Sequence, residues 1–320
     1  MHSNSIDWAD MNESQKKSEI TRRATLAGSA LIGIGAADSL LNATSATASS
    51  STASTASTAP ENTRYARGWE ALREASGDRG ASVIESLKDI APDLGRFVVE
   101  FAYGDIFTRK GLDLRERELA TVAALTALGG SAPQLNFHID AALHVGVRPT
   151  EIIEALIHIV PFMGFPRAIN AVTVARTVFK DRGVTFEPPV MNDSRDRYQR
   201  GAEKLVEIDG EHGLEVIESL KDIAPDLGRF VVEFTFGDVY HRPWLTAKKR
   251  QIVTVAALTA FGDTAPQLRV HIGAMLNVGW SPAQVVETLI QVVPYAGFPR
   301  TLNAITVARA VFEERNTSAR

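Results

Sequence analysis

The sequence predicts an all-α protein made of two tandem homologous helical domains. Three observations predict it. Apolar residues recur at helical spacing between glycine and proline stops. No stretch alternates with period two or carries a hairpin turn signal. The segment Val83–Phe101 returns residue for residue at Val216–Phe234, an offset of 133 that holds without a gap to the end of the chain. At 320 residues the chain is too long for one ordinary domain and suits two.

The first elements are not part of that fold. Residues 1–48 read as a twin-arginine-like signal segment. Lys16, Lys17, Arg22 and Arg23 form its basic region, Leu26–Ala37 is weakly apolar, and Ala46-Thr47-Ala48 fits a cleavage site. The segment has Thr25 and Ala27 where such signals usually carry Phe and Lys. Export, to the periplasm, is the expectation; the alternative is a cytoplasmic tail. Residues 49–64 form a linker, overlapping a tract of only Ala, Ser and Thr from Ala43 to Ala59. Such a tract cannot bury enough surface to offset its ordering entropy. Domain one is expected at 65–186 and domain two at 198–315. The link at 187–197 contains Pro188 and Pro189.

Within repeat one, Asp113 can cap a helix, with Glu116 as its capping-box partner. The apolar spacing continues to the Gly129-Gly130 stop. Ser131 is expected to cap the next helix, with Pro133 in its first turn. In repeat two Ser281 caps and Pro282 takes the first helical position. Pro161 and Pro294 interrupt apolar runs and should kink or end them.

Composition narrows the function. The chain has 34 basic and 38 acidic residues, a formal charge of −4, which argues against a nucleic-acid partner. No apolar run reaches the ~18 residues of a spanning helix, so no stable membrane insertion is expected. Cysteine is absent, which removes disulfides, thiolate nucleophiles and cysteine-ligated zinc. No histidine pair has a metal-site spacing.

Gln134 and His138 stand four apart on one predicted helix, and Gln267 and His271 repeat the pair. An imidazole beside an amide can move a proton and orient a carbonyl or carboxylate. The competing reading is a buried histidine bonded to a backbone carbonyl. Arg115, Glu116, Arg117 and Glu118 open the preceding helix, where repeat two has Lys248, Lys249, Arg250 and Gln251. On residue chemistry alone this cluster reads as a solvated helix terminus. If Glu118 acts, the two repeats are not equivalent. Arg167 and Arg300 follow Gly-Phe-Pro and can hold a carboxylate bidentately, or pair with a surface acid. His144, His158, His212 and His241 have no matching histidine in the other repeat and read as surface or packing residues.

The ordered set Arg115-Glu116-Arg117-Glu118, Leu119–Leu125, Pro133-Gln134-Leu135, His138, Ala141–Val147, Glu151–Glu154, Gly164-Phe165-Pro166 and Asn170 resembles the carboxymuconolactone decarboxylase family, of alkylhydroperoxidase-D-like fold. Repeat two matches through Gln267-Leu268, His271, Ala274–Gly279, Glu287, Gly297-Phe298-Pro299 and Asn303. The peroxidase branch uses a Cys-x-x-Cys before its histidine. Here those positions are Ser131 and Gln134, or Thr264 and Gln267, so thiol peroxidase chemistry is excluded.

The resemblance implies a carboxy-lyase that needs no metal or organic cofactor. The family's characterised reaction converts 4-carboxymuconolactone to 3-oxoadipate enol-lactone. It implies a small carboxylated substrate, with His138, His271 and Glu118 as catalytic candidates. Gln134, Gln267, Arg167, Arg300, Arg117 and Arg250 are the substrate-binding candidates. A lactone hydrolase or isomerase, or a non-catalytic binding or assembly protein, are the alternatives. The family's rings of single domains suggest a homotrimer in which three fused chains supply six domains, with pockets near domain contacts. A monomer whose repeats close on each other is the alternative.

Overall fold

The computed structural model describes residues 64–318. The signal-like segment and the Ala/Ser/Thr tract before Arg64 lie outside the described residues. Repeat one runs through α1 (Arg64–Ser76), α2 (Arg79–Glu85), α3 (Pro92–Phe97), a π-helical run (Val98–Phe107), α4 (Leu114–Leu128), α5 (Ala132–His144), α6 (Pro149–His158), the single turn α7 (Val160–Met163) and α8 (Phe165–Asp181). Repeat two follows the same plan. It has α9 (Arg197–Asp209), α10 (Glu211–Glu218), α11 (Pro225–Phe230), a π-helical run (Val231–Tyr240), α12 (Ala247–Phe261), α13 (Ala265–Asn277), α14 (Pro282–Gln291), α15 (Val293–Ala296) and α16 (Phe298–Ser318). The described residues contain no strand.

Local chemistry sets many of these boundaries. Asp113 accepts from the Glu116 amide at 2.8 Å while its own amide donates to Glu116 Oε2 at 2.9 Å, closing the capping box that starts α4. Ser281 and Gln284 start α14 in the same way. Ser131 departs from expectation: its side chain makes no capping bond, and Pro133 alone marks the start of α5. Pro161 and Pro294 each lie just inside a new turn, after α6 and α14 have ended. Gly164 and Gly297 then close those turns at φ +79° and +81°, a conformation that strains any residue with a Cβ.

The repeats do not keep separate cores. Leu119, Val122 and Ala123 of α4 pack in one apolar cluster with Ile252, Val255 and Ala256 of α12. Every residue of α4 from Arg117 to Ala127 is buried, as befits a helix covered on all sides. This corrects the expectation of a solvated terminus at Arg115–Glu118 in its second half, while Arg115 is exposed and Glu116 half-buried. Arg117 and Glu118 are fully buried, because α14 of the other repeat lies over this turn and brings Glu287 and Gln291 to Arg117. Arg250 is buried reciprocally by Glu154 and His158 of α6. A smaller apolar layer lies outside, where α1 crosses the first π-helical run. The crossing is close enough that a Cβ on Gly68 would stand 2.0 Å from the Val99 carbonyl oxygen, so only glycine fits. Gly201 makes the same approach to Val232 in repeat two.

Candidate active sites

In repeat one, α5 presents His138 to Glu118 in the second turn of α4, Nδ1 to Oε2 at 2.9 Å. Both side chains are buried. Burial raises the Glu118 pKa, and His138 opposes that rise. The second carboxylate oxygen, Oε1, has no hydrogen-bond partner. The imidazole is boxed edge-on by Phe137 at 5.0 Å and by Tyr295 of repeat two at 5.1 Å, measured between ring centroids. Burial raises the Tyr103 and Tyr295 hydroxyls well above the ordinary value, so both stay protonated donors. Beneath them Arg117 donates to the Gln291 side chain at 2.7 Å and to the Arg109 carbonyl at 2.6 Å. Arg109 itself forks onto Glu287 at 2.6 and 2.9 Å. The site is therefore assembled across the repeats.

Repeat two builds a different arrangement at the same register. Gln251 stands where Glu118 would be, and its amide nitrogen donates to the Tyr240 hydroxyl at 3.1 Å. His271 instead faces Asp209, the last residue of α9, with Nδ1 and Oδ1 3.9 Å apart and neither hydrogen-bonded. Burial pushes the Asp209 carboxyl up to about 7 and the His271 imidazole down to about 4. Phe162 of repeat one covers His271 edge-on at 5.0 Å, as Tyr295 covers His138. Asp209, His271 and Phe162 line a cavity of about 310 Å³ with Leu205, Ile217, Phe236 and Val270.

His158 lies beneath this second site. Arg250 has only N–H groups, so it donates to His158 Nδ1 at 3.3 Å, which leaves the proton on Nε2 to be donated to Thr254 Oγ1 at 2.8 Å. Burial first, then the neighbouring Arg250 charge, holds the His158 pKa well below the ordinary value. His158 is thus a neutral packing residue. His212 pairs with Glu215 and His241 with Asp193 nearer the surface.

The structure gathers some of the sequence candidates and scatters others. His138 and Glu118 meet, with Arg117 in the layer below. Arg250 takes the matching place under His271. Gln134 and Gln267 are exposed, although Gln267 reaches the rim of the second cavity. Arg167 lies over the Phe261 ring at 5.1 Å and lines a separate hollow with Asn170. Arg300 packs against Gly262 in a small recess beside Asn303. Neither arginine lines the cavity beside His271. Asp209, Tyr103, Tyr240 and Tyr295 join the sites without having been singled out by the sequence. Their signal was the repeat offset, which sets Asp209 opposite Ser76 and Tyr295 opposite Phe162. Among the described residues, no three His, Asp or Glu side chains converge as a metal site.

Similarity to known proteins bears on these pairs. The model of the carboxymuconolactone decarboxylase family matches residues 92–177 and 225–310, which contain both histidines. A 4-carboxymuconolactone decarboxylase of Acinetobacter baylyi is 34% identical over 128 residues, 40% of this chain and 95% of that protein. A nitrosuccinic acid decarboxylase of Metarhizium robertsii is 33% identical over 85 residues, 26% of this chain and 58% of that protein. A solved chain from Burkholderia xenovorans LB400, assigned as a gamma-carboxymuconolactone decarboxylase subunit, has a TM-score of 0.49 at 24% identity over 78% of this chain and 98% of its own.

Proposed function

Since the chain belongs to the carboxymuconolactone decarboxylase family, we propose that it is a cofactor-independent carboxy-lyase acting on a small carboxylated lactone, such as 4-carboxymuconolactone, or a related cyclic acid. The observation that carries this reading is the buried Glu118–His138 hydrogen bond at 2.9 Å. Glu118 accepts from Nδ1–H, which leaves Nε2 as the nitrogen available to a substrate. The bond between the ring carbon and the carboxylate carbon breaks, carbon dioxide leaves, and the electron pair enters the conjugated lactone carbonyl. His138, protonated from solvent at Nε2, then delivers that proton to carbon, so that one solvent proton is consumed for each carbon dioxide released. The protonated Tyr103 and Tyr295 hydroxyls suit a developing enolate oxygen.

The test is incubation of the purified protein with carboxylated lactones, reading carbon dioxide and product mass. Loss of the mass of carbon dioxide supports the reading. Gain of water makes the protein a hydrolase, unchanged mass an isomerase, and no turnover a binding protein.

Assembly and location belong to the same proposal. Leu94, Phe97, Phe298 and Leu302 are each more than half exposed, and the Phe101 and Phe298 rings lie 5.7 Å apart. Leu227, Phe230, Phe165 and Ile169 form the matching set around Phe234. Two such apolar faces on one chain suit a homotrimer with six repeats. Light scattering that gives the mass of one chain at micromolar concentration refutes it. Export through the Arg22-Arg23 segment is refuted by an uncleaved cytoplasmic chain on fractionation.

A further inference from the structure

We propose that repeat two carries a second ligand site of different chemistry, in which Asp209 and His271 bind a small uncharged cyclic carbonyl compound, such as a lactone or enone without a free carboxylate. The inference deepens the reading of His271 as a site residue. It does not depend on carbon dioxide release at Glu118–His138.

Three observations converge on it. First, Asp209 and His271 are 8% and 7% exposed, yet Asp209 Oδ1 and His271 Nδ1 have no hydrogen-bond partner. Two unpaired polar groups at the wall of one cavity are costly to the fold and leave donor and acceptor capacity for a ligand. Second, the remaining lining is apolar in the main, with Phe162, Leu205, Ile217 and Phe236 among its walls, and at about 310 Å³ it sits at the small end of ligand pockets. No lysine or arginine lines it. Arg250, below, is committed to Glu154, His158 and two backbone carbonyls. A carboxylate entering here would lose its hydration without gaining a cation. Third, Asp209 ends α9, where the helix dipole disfavours a negative charge. Burial favours the neutral carboxyl in the same direction. A protonated Asp209 donates to a carbonyl oxygen, and the neutral His271 stands within reach as acceptor for an acidic C–H or O–H.

Repeat one lacks this arrangement at the matching positions. Ser76 replaces Asp209 and spends its hydroxyl on the Leu72 carbonyl of its own helix at 2.7 Å. Phe137 replaces Val270 and lies edge-on over the histidine.

The probes are 2(5H)-furanone, uncharged, and 5-oxotetrahydrofuran-2-carboxylate, an anion of similar size, titrated calorimetrically into the full chain carrying Glu118→Gln and His138→Asn. Furanone should bind this chain as it binds the parent, and at least tenfold more tightly than the anion. Adding Asp209→Leu should weaken furanone at least tenfold while raising the melting temperature, because a buried unpaired carboxyl is replaced by an apolar group. Adding Asp209→Ser, the residue of repeat one, should also weaken it tenfold. Asp209→Asn, which keeps a donor, should stay within about threefold. The proposal is overturned if furanone binding disappears with Glu118→Gln and His138→Asn, if the Leu and Ser variants bind like the parent, or if the anion binds as tightly as furanone.

Discussion

The histidine in the middle of α5 and the histidine in the middle of α13 occupy one register position in two copies of one sequence unit. Around His138 the carboxylate comes from the neighbouring central helix, forms a 2.9 Å hydrogen bond, and is closed over by Phe137. Around His271 it comes from the end of an outer helix, stops at 3.9 Å, and opens onto a cavity. Three substitutions between the repeats make the difference: Glu118 against Gln251, Ser76 against Asp209, and Phe137 against Val270. A duplicated fold keeps its backbone positions because the core fixes them, while the chemistry at one position changes by moving the acid to a different helix.

The largest expected effect tests whether the two histidines are both chemical. Replacing His138 and His271 together by Asn should lower turnover of the true substrate by about 10²–10⁴. His138→Asn alone should account for most of that, and His271→Asn for less than about tenfold. Full activity in the double variant would break the assignment, and the reverse order of the single variants would exchange the roles of the repeats.

Next comes the pH dependence of stability. Asp209 has a folded pKa raised from 3.8 to about 7, so ionisation is disfavoured in the folded state. Between those values the folded chain holds a proton that the unfolded chain has lost, and stability falls as pH rises through this window. His271 has a folded pKa lowered from 6.5 to about 4, so stability rises with pH between about 4 and 6.5. The two slopes oppose each other across most of one range. Asp209→Asn should therefore gain stability over the parent as pH rises from about 4 to 7, by at most about 4 kcal/mol. His271→Asn should show the opposite trend. His158, Tyr240, Arg250 and His212 face the same region; His158 feels His271, Tyr240 feels Asp209 and His212 acts on Asp209, so each difference reads the replaced group together with these couplings. Denaturant titrations from pH 4 to 8 check both, and parallel curves for parent and variants would remove Asp209 and His271 as a proton-holding pair.

A smaller effect sharpens the exchange of acids. Gln251→Glu should destabilise by about 1–3 kcal/mol, because it puts a carboxyl in place of a fully buried amide that donates to the Tyr240 hydroxyl, in the same repeat that already buries Asp209. Combined with Asp209→Ser it should cost less than the sum of the two changes, with a coupling of about 1–2 kcal/mol. Strict additivity would show that the acids are not alternatives to one another.

The smallest effect compares the caps of the two central helices. Asp113→Ala removes the 2.8 Å bond from the Glu116 amide, while the backbone amide of residue 113 can still donate to Glu116, and it should cost about 1 kcal/mol. Thr246→Ala removes one bond of 3.3 Å and should cost about half as much. Equal shifts in thermal midpoint would contradict this.

The all-α fold and the caps at Asp113 and Ser281 were legible because each depends on residues within a few positions of one another, and the duplication because the same residues recur 133 positions on. The burial of Arg117 and Glu118 was not, since four polar residues at a helix start look solvated until α14, about 170 residues later, is laid over them. Pairing His138 with Gln134 used the four-residue helical spacing correctly but chose the wrong neighbour. The side chain that reaches the imidazole comes from another helix, and Gln134 points to solvent. Asp209 was hidden for a related reason: it lies 62 positions before His271, and only the packing of α9 on α13 brings them together.

The crossed ion pairs have a consequence for synthesis. Arg109 meets Glu287 and Arg242 meets Glu154, so each central helix is sealed by a helix of the opposite repeat. A nascent chain that has just released α4 can lay its own α5, α6 and α8 on one side of it, but the side that meets repeat two stays open until α12 emerges, with α14 to follow. At about 5–20 residues per second, that interval is on the order of ten to thirty seconds. Throughout it Leu119, Val122 and Ala123 face water or another molecule, and two neighbouring polysome chains can exchange halves. The same duplication that makes each repeat a template for the other makes a newly made first repeat a receptor for any second repeat within reach. The yield of correctly closed chains should therefore fall as ribosomes crowd a message.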